Sequence, residues 1–516
     1  MKKHNTIKVV LITMLVFLLL TWILPAAYYS GQYVDQGRVQ MGLFDLFNYP
    51  LTALSYFGYI ALYIILVGGF YGILYKIPAY RTFLDKIVSL FKGKEKIALS
   101  IMIVLIALIV SVCGMQFGIA LFIPFIIGLI LLMGYDKITA ALVTVGSISA
   151  GLIGCTYAVN NTSILSTTLS LGYDFEIGIR WIILVVAVIL VIFNTLMYIK
   201  ANGKAKISKK EEIKEEIKEK VEKIEKTVAK KAPAKKKTTT KKTTKKTTKR
   251  KNPNKAALMD EDVIVVPASV NGSHKIWPFV VTFILLFVVF VLAFIAWGEN
   301  GFGIKLFTDM TTNVQGFEIF KFPLFAKLLG NFKAFGEWAI ADMFLPMALT
   351  VLVLALIYKV KLDDIFDGFV EGVKKALAPA LIVILMYSIL VAVTYHPFQL
   401  VIYKAILGLT KGFNVATTAV VAMLAGLFNS DIAYSFQAAL PYYTSVVTKS
   451  ANYPLVAVIF QTMYGLTMLI APTSLCLMAI LSFLKISYKD WLKNAWKLFL
   501  ELLVILLIIF IILALI

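Results

Sequence analysis

The chain has 516 residues, of which 60% are hydrophobic and 16% charged, with a mean hydropathy of +0.85. That balance excludes an ordinary soluble globular protein, which is nearer half apolar and carries more charge. The net charge of +22 suggests nucleic acid or lipid, but 23 Lys/Arg against 7 Asp/Glu between Lys200 and Lys255 confine +16 of it to one segment.

MKKHNTIK opens the chain, and VVLITMLVFLLLTWILPA follows over residues 9–26. This run is long enough to cross the hydrocarbon core. It reads as a first membrane helix rather than a cleaved signal peptide, whose apolar stretch is shorter. Basic residues set the orientation. With the N-terminus inside, the first helix exits, and the loop 28–50, which has Arg38 as its one basic residue, lies outside. A helix near 52–75 returns to the Lys-rich KIPAYRTFLDKIVSLFKGKEK, which falls inside. Residues 97–134 form two apolar legs meeting at Cys113-Gly114; whether they cross or turn back, they return inside at Tyr135-Asp136-Lys137. A segment from 138 to about 172, interrupted by GCTYAVNNTS, crosses outward, and the helix 181–200 comes back.

Residues 203–274 read as a basic cytoplasmic linker. KISKKEEIKEEIKEKVEKIEKTV has helical composition with opposite charges three or four apart. KKAPAKKKTTTKKTTKKTTKRKNPNK cannot bury enough apolar surface to fold. The linker reads as a solvated tether that attracts anionic lipid head groups weakly, with no specific nucleic-acid binding. Beyond it, 277–297 exits, the loop 298–336 is outside and partly interfacial, and 338–358 returns. Residues 362–376 read as an amphipathic inside segment, 378–395 exits, and QLVIYKAILGLTKG is interfacial. Two apolar legs at 414–447 are entered from outside, 453–484 crosses inward through LIAPTSLC, and 496–516 exits.

The expectation is an all-α polytopic membrane protein with about nine full crossings and its C-terminus outside. Its units are a first transmembrane half (1–202), the linker (203–274) and a second half (275–516). The Lys-over-Arg bias and the Lys/Thr tract point to a bacterial plasma membrane. The three cysteines, Cys113, Cys155 and Cys476, make no metal spacing and read as packing residues.

The halves share an order of parts: two apolar legs around a polar tip, then a crossing with a polar interruption. Met115 to Asn161 spans 46 residues, and Ser430 to Thr473 spans 43. One copy starts inside and the other outside, which is an inverted repeat of the kind found in secondary transporters. Unpaired backbone groups are costly in a bilayer, so four such breaks imply a shared, protein-lined site. Helix N-termini at breaks suit carboxylates, and free carbonyls suit cations. The candidate substrate- or ion-binding residues are Gly114, Met115 and Gln116; Asn160, Asn161, Thr162 and Ser163; Asn429, Ser430 and Asp431; and Pro472, Thr473 and Ser474. Asp431 stands out, because a charge in a membrane segment is costly and usually functional. It could pair with an amino group, coordinate a cation or carry a proton. His396, in TYHPF, reads as an interfacial residue, and Glu337 and Asp342 as boundary charges.

Several stretches resemble the YfcC-like transporters of the C4-dicarboxylate anaerobic carrier family. They are TWILPA after the first helix, GGFYGILYKIPAYRTFLDKIVSLFKGKEK, MGYDKITAALVTVGSISAG, LPYYT through LIAPTSLCLMAIL, and KISYKDWLK. The resemblance covers nearly all of the chain except the linker and the 298–336 loop. It extends to a wider group of ion-coupled transporters that includes the p-aminobenzoyl-glutamate transporters. It implies two re-entrant hairpins, two discontinuous helices, an elevator-like movement, a homodimer, and roles at the tips and breaks named above. Three positions depart from the pattern. Gln116 stands where an acid is usual, Asn429-Ser430-Asp431-Ile432-Ala433 replaces a Ser/Gly-rich tip, and Asn160-Asn161-Thr162 lacks the usual proline.

The function expected is secondary active transport of a small carboxylate-bearing solute, an amino acid or a dicarboxylate. A proton or sodium ion or exchange would drive it, with no other cofactor. No G-x-x-x-x-G-K-[ST] run is present to use ATP. An ion channel would need a symmetric pore ring, and an intramembrane enzyme would need paired catalytic groups; neither pattern is present.

Overall fold

Apolar runs punctuated by Gly, Pro, Asn and Asp become helices joined by short breaks. The computed structural model describes residues 5–114, 117–202, 275–299, 301–330 and 332–516, so the linker lies outside the described residues. Among the described residues there are nineteen α-helices and two short β-hairpins, Ala26–Tyr29 with Tyr33–Gly37 and Glu318–Ile319 with Phe322–Pro323. Among the described residues, eight helices are long and apolar enough to cross a membrane. The protein is an all-α polytopic membrane protein.

The first series of parts is α1 (Asn5–Ile23), α2 (Asp45–Leu74), α3 (Pro78–Leu90), α4 (Glu95–Cys113), α5 (Ile123–Leu132), α6 (Lys137–Ile153), α7 (Val159–Leu169) and α8 (Ile177–Asn202). Then come α9 (Trp277–Phe294) and two short helices, α10 (Leu306–Gln315) and α11 (Leu324–Leu329). The second series is α12 (Phe344–Tyr358), α13 (Leu362–Tyr395), α14 (Gln399–Leu407), α15 (Val415–Phe428), α16 (Ile432–Val446), α17 (Tyr453–Met468), α18 (Leu475–Leu484) and α19 (Tyr488–Leu515). The two series match part for part: a crossing, a long helix, a short helix, a two-legged hairpin, a helix in two pieces and a final crossing.

The equivalent long helices, α2 of 30 residues and α13 of 34, pack along each other. Tyr49 meets His396, Phe57 stacks on Tyr387 at 4.1 Å, and Gly72 abuts Gly368. One number rises as the other falls, so the helices run antiparallel and the second series is inverted relative to the first. The close approach comes from small residues facing each other, Gly68 and Gly72 against Gly368, Gly372 and Ala376, while Gly69 makes room for the Phe369 ring; small facing residues are the packing that membrane helices favour.

Two expectations are corrected. Residues 362–376 and 378–395 are not separate segments but one helix, with Pro379 inside it. It packs on α2 from Gly368 to His396, and packed neighbours make a proline tolerable in a membrane helix. Likewise α2 starts at Asp45 rather than near 52 and runs through Pro50. α1 is part of the bundle: Val10, Met14 and Phe17 are buried, and Trp22 Nε1 donates to the Met41 carbonyl at 3.0 Å.

Candidate functional site

The first hairpin turns where α4 ends. Gly114 has φ of 69°, and a Cβ there would come within 2.6 Å of the Ala158 Cβ, so both backbone conformation and space require glycine. Met115 and Gln116 lie outside the described residues. Just before the tip, Ser111 Oγ donates to the Gly154 carbonyl at 2.7 Å and lies 2.9 Å from Thr156 Oγ1, while Thr156 N donates to the Ser111 carbonyl at 2.9 Å. These bonds tie the tip to residues 154–158, the non-helical link between α6 and α7.

Asn160, Asn161, Thr162 and Ser163 were expected in that link, but they occupy the first turn of α7. Without a proline, nothing stops the helix from resuming at Val159. Asn160 is exposed, whereas Asn161 and Thr162 are buried. Thr162 Oγ1 donates to the Ala158 carbonyl at 3.3 Å, and Asn161 Nδ2 faces Cys155 Sγ at 3.8 Å.

The second hairpin turns at Asn429, Ser430 and Asp431, between α15 and α16. Asp431 is the N-cap of α16: its Oδ1 accepts from Ala433 N at 2.9 Å and Tyr434 N at 3.3 Å. Its Oδ2 makes no hydrogen bond among the described residues. Asn429 Nδ2 donates to the Ala425 carbonyl at 3.4 Å. Tyr464 OH of α17 donates to the Ser430 carbonyl at 2.7 Å.

The helix α17 stops at Met468 and α18 starts at Leu475, so Pro472, Thr473 and Ser474 fall in the break, as expected. Thr473 Oγ1 donates to the Leu427 carbonyl at 2.8 Å, just before the second tip. Each hairpin is therefore fastened to the broken helix of its own half, 43 to 46 residues on.

The halves also join each other. Helix α6 ends with carbonyls that have no partner within the helix. Helix α17 supplies donors for this region: Thr462 Oγ1 to the Ile153 carbonyl at 3.2 Å and Gln461 Nε2 to the Cys155 carbonyl at 2.8 Å. A Cβ on Gly465 would lie 2.4 Å from Ile153 N, so only glycine allows this approach. An apolar cavity of about 90 Å³ lies between the α2/α13 pair and the parts built on the tips. Val67, Gly68 and Pro379 line one side, and Ile119, Pro124 and Ile480 the other.

A family model described as the C4-dicarboxylate anaerobic carrier, DcuC, matches residues 4–515. The chain belongs to that family. No curated protein and no solved structure matches the chain. In this carrier, reading the sequence missed Ser111, Thr156, Arg180, Gln461 and Tyr464, all of which touch or adjoin a tip or break. Gln461 left a visible signal, a lone amide within VAVIFQTMYGLTML, since such residues hold membrane helices together. Arg180 lies near the start of α8, where a charge draws no notice, yet it is 1% exposed.

Proposed function

We propose that the chain is a secondary active transporter of a small carboxylate-bearing solute, with C4-dicarboxylates as the first class and amino acids as the second. The observation that carries this is the paired arrangement of tips and breaks, each tied to its own half and bridged by α17 to the other. Non-helical backbone among apolar helices is tolerated where it lines a protected cavity, and a solute is bound there. The glycine-faced α2/α13 pair serves as the scaffold. The hairpins, α6–α7 and α17–α18 move against it in an elevator-like step, helped by the apolar slack of the cavity.

Asp431 is the group proposed for the coupling ion, because Oδ1 is committed to the cap and Oδ2 is left over. A proton or sodium ion there, or solute exchange, supplies the energy. The positive-inside rule places the N-terminus and basic linker in the cytoplasm and the C-terminus outside. The homodimer, the lipid contact of the linker and the bacterial plasma membrane belong to the same proposal.

The test is uptake into proteoliposomes of a panel of radiolabelled C4-dicarboxylates and amino acids, under imposed proton and sodium gradients. Saturable uptake of at least one class supports the reading. Leakage of unrelated ions without saturable solute uptake would replace it with a channel.

A further inference from the structure

Arg180, in the first turn of α8, is 1% exposed. Its guanidinium is held from one edge. Nη1 donates to the carbonyls of Tyr173 and Phe175, both at 3.2 Å, and the Phe175 ring lies 4.3 Å from the guanidinium carbon. Among the described residues, Nε and Nη2 are buried with no hydrogen-bond partner. These two nitrogens form one edge of the planar group, and their N–H bonds point the same way. That edge is the fork that fits both oxygens of a carboxylate. Arginine does not escape burial by losing its proton, and an unpaired buried charge is among the costliest features a fold can carry.

The surroundings place this charge beside the first break. Gly154 is pressed against the helix one turn further along, where a Cβ on it would meet the Leu184 Cα at 2.3 Å. The groups within electrostatic reach of Arg180 are Cys155 and Tyr157 of the break and Asp174 of the preceding loop. Asp174 is exposed and makes no salt bridge with it among the described residues. On the other side of Cys155, Gln461 spends its amide nitrogen on the Cys155 carbonyl and leaves Oε1 buried without a partner among the described residues. Clamping the loop carbonyls uses Nη1 alone, so that role does not account for the open fork.

We infer that the free edge of Arg180 binds one carboxylate of the transported solute at the first break. This deepens the transport reading and rests on it. It also gives the dianionic class its counter-charge.

The experiment uses the full-length protein in detergent and compares binding of succinate with succinamate, which replaces one carboxylate by an amide. Wild type is expected to prefer succinate by about tenfold or more, the worth of one charge-assisted pair. Arg180→Gln removes charge and fork and should weaken succinate about tenfold or more while bringing the preference close to one. Arg180→Lys keeps the charge without the fork and should fall between the two; it decides the matter if Arg180→Gln does not fold. Melting curves separate the roles, because a loop clamp alone would lower stability without changing the preference. Succinate affinity within about twofold of wild type in both variants, or an unchanged preference, overturns the assignment of Arg180 alone. If wild type binds neither compound, the Arg180 assignment and the C4-dicarboxylate class fall together; the transport reading itself falls only if the uptake panel of dicarboxylates and amino acids also shows no saturable solute uptake.

Discussion

Gly72 of α2 faces the backbone of Gly368 of α13 so closely that a Cβ on Gly72 would lie 2.0 Å from the Gly368 carbonyl oxygen. The obstacle is main chain, which cannot swing aside. Gly72→Ala should therefore destabilise the protein by about 1–3 kcal/mol, the cost of overpacking. Gly58→Ala on the same helix meets only the flexible Leu54 side chain at 3.2 Å and should be close to neutral. Melting of the two purified variants in the same detergent checks the contrast.

Ser111 and Thr473 play matching parts in the two halves, each bonding hairpin to break. Ser111→Ala leaves the Gly154 carbonyl without this donor, and Thr473→Val does the same to the Leu427 carbonyl. Each should cost about 1–3 kcal/mol, the penalty for an orphaned buried acceptor. Both should also weaken solute binding, since the tip is no longer held against the break. Melting and binding measured on the same sample show whether the two losses travel together.

Asp431 does two separable things in this account. Asparagine caps a helix about as well as aspartate, so Asp431→Asn should melt near wild type. It removes the charge, however, and should abolish gradient-driven accumulation while leaving exchange of labelled for unlabelled solute. Asp431→Ala should also lose about 1 kcal/mol of stability with the cap. Unchanged accumulation by Asp431→Asn would leave the residue a cap and nothing more.

His396 closes the far end of α13. Its Nδ1 lies 2.8 Å from the Val39 carbonyl and therefore carries a proton, while Nε2 lies 2.6 Å from Tyr49 OH, with Asp45 at 4.0 Å. His396→Ala strands the buried Tyr49 hydroxyl and the part-buried Val39 carbonyl and should lower stability by about 1–3 kcal/mol. It should leave solute affinity unchanged, because none of these bonds reaches a tip or a break. Melting and succinate binding on one preparation test both halves of that statement.

What was legible in the sequence were places where local chemistry decides structure. Gly114, Asn429 to Asp431 and Pro472 to Ser474 interrupt apolar runs with residues that turn or cap chain, and the structure breaks at those points. Asn160 to Ser163 were placed in a break because they are polar, yet polarity does not stop a helix that has its N–H groups and ordinary backbone angles. The unbroken α13 was hidden because its Gly368 and Gly372 acquire meaning only with the glycine face of α2 opposite them. The bond from Gln461 to Cys155 spans 306 residues, and no local pattern names such a partner. Arg180 sat where a boundary charge is ordinary, and only its burial and its empty edge distinguish it.

The central claim, that the first break opens to each side of the membrane in turn, is tested most directly at Asn160, which is exposed at the start of α7. In a chain whose three free cysteines are replaced, Asn160→Cys would be labelled with a membrane-impermeant maleimide added to either face of oriented vesicles. Labelling from both faces, slowed by succinate, is the predicted result. Labelling from one face only, at a rate that succinate does not change, would contradict it.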